Sequence, residues 1–197
     1  MRLPIYQVDA FTDRLFGGNP AAVCPLHAWL PDETMQAIAA ENNLAETAFF
    51  VPEGAGYALR WFTPTVEVDL CGHATLAAGH VVFRFIEPQR DGVSFRTRKA
   101  GTLVVSRSGD MLAMDFPARP AAPVEPPPDL LAALGGAPRE VLRARDHLVV
   151  YGSAAEVAAL DPDLAALAKV DCWAAIATAP GEDGIDFVSR FFAPAQG

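Results

Sequence analysis

The chain has 197 residues, a formal net charge of -9 and an apolar fraction of 51%. That length allows one large domain or two small lobes, and that apolar content excludes a disordered chain. The Lys and Arg residues are scattered rather than clustered, which argues against a nucleic-acid partner, and no apolar run approaches the roughly 18 residues of a membrane-spanning helix. Cys24, Cys71 and Cys172 are odd in number and far apart, so reduced thiols are expected, and the N-terminus reads as a strand rather than a leader. Together these features predict a soluble, cytoplasmic protein.

In chain order, LPIYQVDAF and PAAVCPL read as strands joined across TDRLFGGN, whose Gly17-Gly18-Asn19 predicts a tight turn and so a hairpin. PDETMQAIAAENN predicts an amphipathic helix, with Pro31 and acidic residues at its start and asparagines at its end. ETAFFVP and YALRWFTP form a second expected strand pair. After it, Ala74 to Phe85 is apolar on nearly every face, which predicts a helix enclosed by protein. VSFRT, GTLVVSR and MLAMDFP predict three further strands, and the proline-rich stretch Pro117 to Pro128 predicts an extended connector between two lobes.

The second lobe reads as a repeat of the first. AFFVPEGAGYALRWFTP and AIATAPGEDGIDFVSRFFAP share an apolar strand, a Pro/Gly turn and a second strand closing in RWFTP or RFFAP, each pair preceded by a helix-like segment. The expected fold is therefore α+β: two pseudo-repeated, strand-rich lobes, each built around a central helix. Residues 1–116 form the first lobe, 117–128 the connector and 129–197 a second lobe that stops short of its own central helix.

Candidate chemistry gathers around DLCGHATLAAGH. The start of a helix there presents unpaired N–H groups from Gly72 onward that can bind a carboxylate, while Cys71 and His73 either face that site or pack inside. Cys-x-His alone is too short for a metal site. Glu46 heads an apolar strand and is either a strand-edge glutamate or a partly buried proton-transfer group. Asp9 and Asn19 are compatible with turns or with a pocket.

In their order and spacing, VDAFTDRLFGGNPAAV, NLAETAFF and RWFTPTVEVDLCGHATLAA resemble the PhzF family of phenazine-biosynthesis isomerases, which shares the fold of diaminopimelate epimerase; the likeness extends through DFVSRFFAPAQG. The resemblance implies two strand-rich lobes around central helices, and a cofactor-independent proton transfer on a small cyclic or amino-acid carboxylate. It makes Glu46 the general acid and base, lets Gly72 and His73 hold substrate, and puts Asp9 and Asn19 near the pocket. Cys71 takes a supporting place, where epimerase relatives use a thiol. No metal, flavin or nicotinamide is implied, and a homodimer is. Family members continue past FFAPAQG with a Thr-Gly-Ser stretch opening a second helix, so the chain looks truncated. The alternative is a non-catalytic member that binds small acids weakly or acts by association.

Overall fold

The computed structural model describes residues 2–14 and 16–196. It divides into two compact units, Met1–Pro117 and Ala118–Gly197. The first unit is one sheet with a helix on each face. Its strands are β1 (Tyr6–Ala10), β2 (Asn19–Pro25), β3 (Glu46–Glu53), β4 (Gly56–Phe62), β5 (Glu67–Val68), β6 (Gly92–Thr97), β7 (Thr102–Ser108) and β8 (Met111–Asp115). They run in the order β1-β2-β3-β4-β6-β7-β8, with β5 on β4.

Helix α1 (Asp32–Asn42) joins β2 to β3, and this crossover is what lets those two strands pair in parallel. Asn43 ends it in the left-handed conformation with its N–H on the Ala39 carbonyl. Met35 and Ala39 then pack on Phe49, Val51, Ala58 and Phe62. Because side chains alternate along a strand, Glu46, Ala48 and Phe50 face the other way. That second face receives helix α2 (Gly72–Val81), which touches β1, β2 and β3 near one end of the sheet and β7 and β8 near the other. The sheet is therefore curled about α2, the half-barrel around a central helix that the uninterrupted apolar run predicts.

Small residues make this enclosure possible. Ala74, Ala77, Ala78 and Gly79 are all buried, and a Cβ on Gly79 would lie 2.7 Å from Cγ1 of Val105 in β7. The buried stretch ends sooner than the run of apolar letters suggests. After Val81 the backbone widens into a π-helical turn, Val82–Ile86, and Phe85 is exposed at 54%, stacked on Tyr6. The opening strand pair also differs from a tight hairpin: β1 and β2 are antiparallel, but residues 11–18 separate them and Asn19 belongs to β2. Gly18 is needed at the return, because its φ of 75° is left-handed and a side chain there would collide with the Ala10 carbonyl.

The second unit holds β9 (Ala122–Pro123), α3 (Pro128–Leu134), β10 (Glu140–Arg143), β11 (His147–Val150), α4 (Ala154–Ala159), α5 (Leu164–Leu167), β12 (Ala175–Pro180) and β13 (Phe187–Phe192). Its sheet runs β13-β12-β11-β10-β9. One face, with Val149, Ala175, Ala177 and Ala179, packs on Leu130, Leu134, Val157, Leu160 and Leu167 from the helices. The single helix-like segment of the sequence is two short helices, since Pro162 between them cannot continue the first.

The repeat is visible in the pairing itself. β1 to β4 pair antiparallel, parallel and antiparallel, and so do β10 to β13. Thr47 lies opposite Phe62 and Phe49 opposite Arg60; Ala175 lies opposite Phe192 and Ala177 opposite Arg190. The two arginines each tie a hairpin to a helix earlier in the chain. Arg60 reaches Asp32 at the start of α1, at 2.8 Å, and Arg190 donates to the Val157 and Leu160 carbonyls at the end of α4.

Candidate functional site

Three of the residues singled out from the sequence meet in the first unit. Glu46 opens β3, Cys71 is the residue before α2, and His73 lies in the first turn of α2. Nε2 of His73 is 3.2 Å from Oε2 of Glu46, and Sγ of Cys71 is 3.4 Å from Nδ1 of His73. One potential ligand atom from each residue lies within 4.8 Å of the other two. Cys71 and His73 are buried, and the side chain of Glu46 keeps 20% of its surface exposed.

Local structure explains the convergence. Cys71 is extended, with φ -142° and ψ 115°, so the chain arrives as a strand and turns into α2 at Gly72. The Thr75 hydroxyl donates to the Cys71 carbonyl at 2.5 Å and the Thr75 N–H to the same oxygen at 3.3 Å, which secures the first turn. Parallel pairing sets Glu46 beside Ala21 of β2, on the sheet face that α2 covers. The Pro20 backbone lies near enough to the His73 ring to act on its titration without giving Nε2 a hydrogen bond, a proximity that no sequence motif signals.

Burial dominates the electrostatics. It raises the Glu46 carboxyl above the ordinary glutamate range, and a hydrogen bond with Cys71 offsets this only in part. It lowers the His73 imidazole, which is therefore neutral near pH 7, although the Pro20 backbone opposes the shift. At Cys71, burial and the neighbouring Glu46 push the thiol well up. The N–H groups of Ala74 and His73 pull it down less strongly. A helix start alone favours a thiolate. Here desolvation wins and the thiol keeps its proton.

Nε2 of His73 is buried and off the hydrogen-bonding direction toward Glu46, so it lacks a hydrogen-bond partner. Such an atom is costly unless the site has another state in which it is paired. The arrangement can hold and move a proton. It comprises a carboxyl biased toward its neutral form, a neutral imidazole and a thiol, with access through the exposed part of Glu46.

The remaining sequence candidates lie around this cluster. Asn19 is exposed and, by strand alternation, shares a sheet face with Ala21 and hence with Glu46. Asp9 lies opposite Pro20 in β1, on the alternate side, and its carboxylate accepts the Phe16 N–H at 3.2 Å. It therefore holds the β1–β2 loop. Gly72 is half-buried, with Met114 and Phe116 beyond it, each 3.7 Å from where a Cβ would sit. A 170 Å³ groove lined by Arg60, Glu67, Asp69, Arg98 and Lys99 is a separate feature. Its cations are already paired: Arg60 and Arg98 with Glu67, Lys99 with Asp69.

Among the described residues, no helix is long and apolar enough to cross a membrane. The family model for phenazine biosynthesis-like protein (PhzC-PhzF) matches residues 8–197. An uncharacterized isomerase of Pseudomonas aeruginosa is 54% identical over 197 residues, which is 100% of this chain and 75% of that protein. The crystal structure of a PhzF-family phenazine biosynthesis protein from Enterococcus faecalis superposes with a TM-score of 0.89 at 45% identity, covering 99% of this chain and 75% of that one. A predicted epimerase of Pseudomonas aeruginosa shares the fold at a TM-score of 0.67 and 21% identity, over 90% of this chain and 70% of that one. The chain thus belongs to the phenazine biosynthesis-like, PhzC-PhzF family.

Proposed function

We propose that this protein is a cofactor-independent isomerase or epimerase that moves a proton between carbon atoms, or between faces of one carbon, of a small carboxylate. The observation that carries the reading is Glu46. It is a partly buried carboxyl with no Lys or Arg partner among the described residues, raised by desolvation and set against the neutral His73. A carboxyl so raised takes a proton from carbon and returns it near neutral pH more readily than an ordinary glutamate does. No electrons are gained or lost overall: the C–H bond broken at one position is replaced by one formed at another.

In this reading Glu46 is the acid and base, and His73 positions the proton it carries. Gly72, at the start of α2, holds the substrate carboxylate, and Asn19 extends the pocket along the sheet face. Asp9 acts through the β1–β2 loop that it ties to Phe16. Cys71 supports Glu46 by hydrogen bonding rather than by attacking. A cytoplasmic homodimer belongs to the same proposal.

The test is proton exchange in the chain extended to the length of its relatives. Small cyclic and amino-acid carboxylates, headed by dihydro-3-hydroxyanthranilate, are incubated in deuterated water and followed by NMR. Glu46→Gln preserves size and should slow deuterium incorporation by about 10²–10⁴-fold, the usual contribution of a general acid–base group, with KM nearly unchanged. Exchange at the original rate in Glu46→Gln would remove the residue from the mechanism.

A further inference from the structure

We propose that Glu46, Cys71 and His73 also form a site for one thiophilic divalent cation, Zn²⁺ above all, and that its occupancy silences the proton-transfer site. The sequence offers only Cys-x-His, two ligands on one short segment. The fold adds a third from β3, 25 residues before Cys71 in the chain.

Distances carry the argument. In a tetrahedral zinc site with Zn–S of about 2.3 Å and Zn–N or Zn–O of about 2.0–2.2 Å, neighbouring ligand atoms stand roughly 3.4–3.6 Å apart. The sulfur of Cys71 is 3.4 Å from Nδ1 of His73, and Nε2 of His73 is 3.2 Å from Oε2 of Glu46. One ion takes only one of the two ring nitrogens, so one separation already matches a tetrahedral edge and the other is remade as the ring turns. With one atom from each residue inside 4.8 Å of the others, the three close on one ion by side-chain rotation of about an ångström.

His73 supplies a second observation. It is 8% exposed, and its Nε2 has no hydrogen bond among the described residues. The ring presents one nitrogen toward sulfur and the other toward carboxylate, so either nitrogen can meet the ion after a modest turn. Two buried ligands and one partly exposed one resemble an open three-ligand site, with water in the fourth position on the Glu46 side. The mixed sulfur, nitrogen and oxygen set selects Zn²⁺ and Co²⁺ over Mg²⁺ and Ca²⁺, which want oxygen alone. On binding, the Cys71 S–H bond is replaced by S–Zn and its proton leaves to solvent. Glu46 binds as carboxylate, releasing any proton it carries, and it can then no longer accept one from carbon.

Binding rests on the geometry of the three side chains alone; only the silencing rests on the proton-transfer reading, so the two are measured separately. The chelator-treated 197-residue chain is titrated with Co²⁺ and then Zn²⁺. One Co²⁺ per chain is expected, with a thiolate-to-cobalt charge-transfer band and intense visible bands of tetrahedral cobalt, both erased by Zn²⁺. Cys71→Ser should abolish the charge-transfer band. His73→Ala and Glu46→Gln should each weaken Zn²⁺ binding by more than the about 10–100-fold typical of losing an outer-shell partner. Cys172→Ser should change neither. Circular dichroism of each variant identifies one that has lost its fold, and His73→Gln then replaces His73→Ala. Absence of the charge-transfer band, its persistence in Cys71→Ser, or equal Zn²⁺ affinity in folded wild-type and variant chains overturns the site. Zn²⁺ binding without inhibition of deuterium exchange overturns the silencing alone.

Discussion

Gly79 is where the fold's stability and its site are most directly linked, because α2 approaches β7 there and carries Cys71 and His73 at its other end. Glycine inside a helix normally costs about 1 kcal/mol relative to alanine, so Gly79→Ala would stabilise an exposed helix by that amount. Here the new Cβ would lie 2.7 Å from Cγ1, 3.0 Å from Cβ and 3.2 Å from Cγ2 of Val105. Carbon atoms prefer roughly 3.5–4.0 Å, so helix and strand must part by close to an ångström. Val105 is fully buried and β-branched, on a strand paired on both sides, and cannot swing away. Overpacking of this kind costs about 1–3 kcal/mol, which outweighs the helix gain and gives a net loss of roughly 1 kcal/mol. Val105→Ala alone should cost about 2 kcal/mol through two lost methyl contacts and the space they leave. The double variant should be more stable than the sum of the single effects by at least about 1 kcal/mol, because the methyl group added at position 79 then fills the space that the valine side chain vacates. Urea denaturation followed by circular dichroism measures the cycle. His73 is six residues from Gly79, about 9 Å along the helix, so Gly79→Ala should also weaken Co²⁺ binding and the double variant restore it. Stabilisation by Gly79→Ala, or a cycle with no coupling, would refute the close packing of α2 on β7.

Three further outcomes are expected. Cys71→Ala should keep deuterium exchange within about tenfold of the parent, because desolvation keeps the thiol protonated; a loss as large as that of Glu46→Gln would make the thiol the base. His147 is 1% exposed, and burial, then Arg143, lower its ring below the ordinary value of 6.5. As pH falls through 6.5 the unfolded chain binds a proton that the folded chain refuses, so stability drops until the folded value is passed. His147→Leu should flatten the difference in urea midpoint between about pH 7 and pH 5; an unchanged difference would show that His147 is not the cause. Glu46→Ala should leave the urea midpoint at pH 7 unchanged or higher, since it removes a partly buried carboxyl with no cationic partner, and destabilisation above about 1 kcal/mol would mean that Glu46 serves the fold.

The sequence is most legible where one local signal decides. The helix start at Gly72 and the enclosed face from Ala74 to Val81 follow from uniform small apolar residues, and α1 from its acidic start and Asn43 stop. β5, β9 and the short strands β10 and β11 carry too few residues for periodicity to mark them. The two readings of Glu46 are separable only in three dimensions: its neighbours are Ala21 across a parallel pairing and His73 on a helix 27 residues later. Likewise, a helix start favours a thiolate at Cys71, and only the burial of that side chain shows that desolvation prevails, in keeping with its supporting place. Asp9 and Asn19 differ by strand parity, which the sequence indicates only once the register of β1 on β2 is known.

The repeat supplies a test of purpose that neither unit supplies alone. Thr47 and Ala175 hold the same place opposite Phe62 and Phe192, so the residue before each is also equivalent: Glu46 in the first unit, Ala174 in the second. Ala174 is 2% exposed, directly precedes β12 and accepts the His147 N–H at its carbonyl, so this framework builds the position well with a methyl group. The arginine of each hairpin is kept because it ties strand to helix in both units. A carboxyl in the alanine's place brings desolvation without an ion pair, which no folding requirement of the framework explains. In the first unit α2 brings a thiol and an imidazole to that same strand end. The carboxyl thus stands beside groups with which it can share a proton, and desolvation without an ion pair is the physical argument for seeking its role outside the fold.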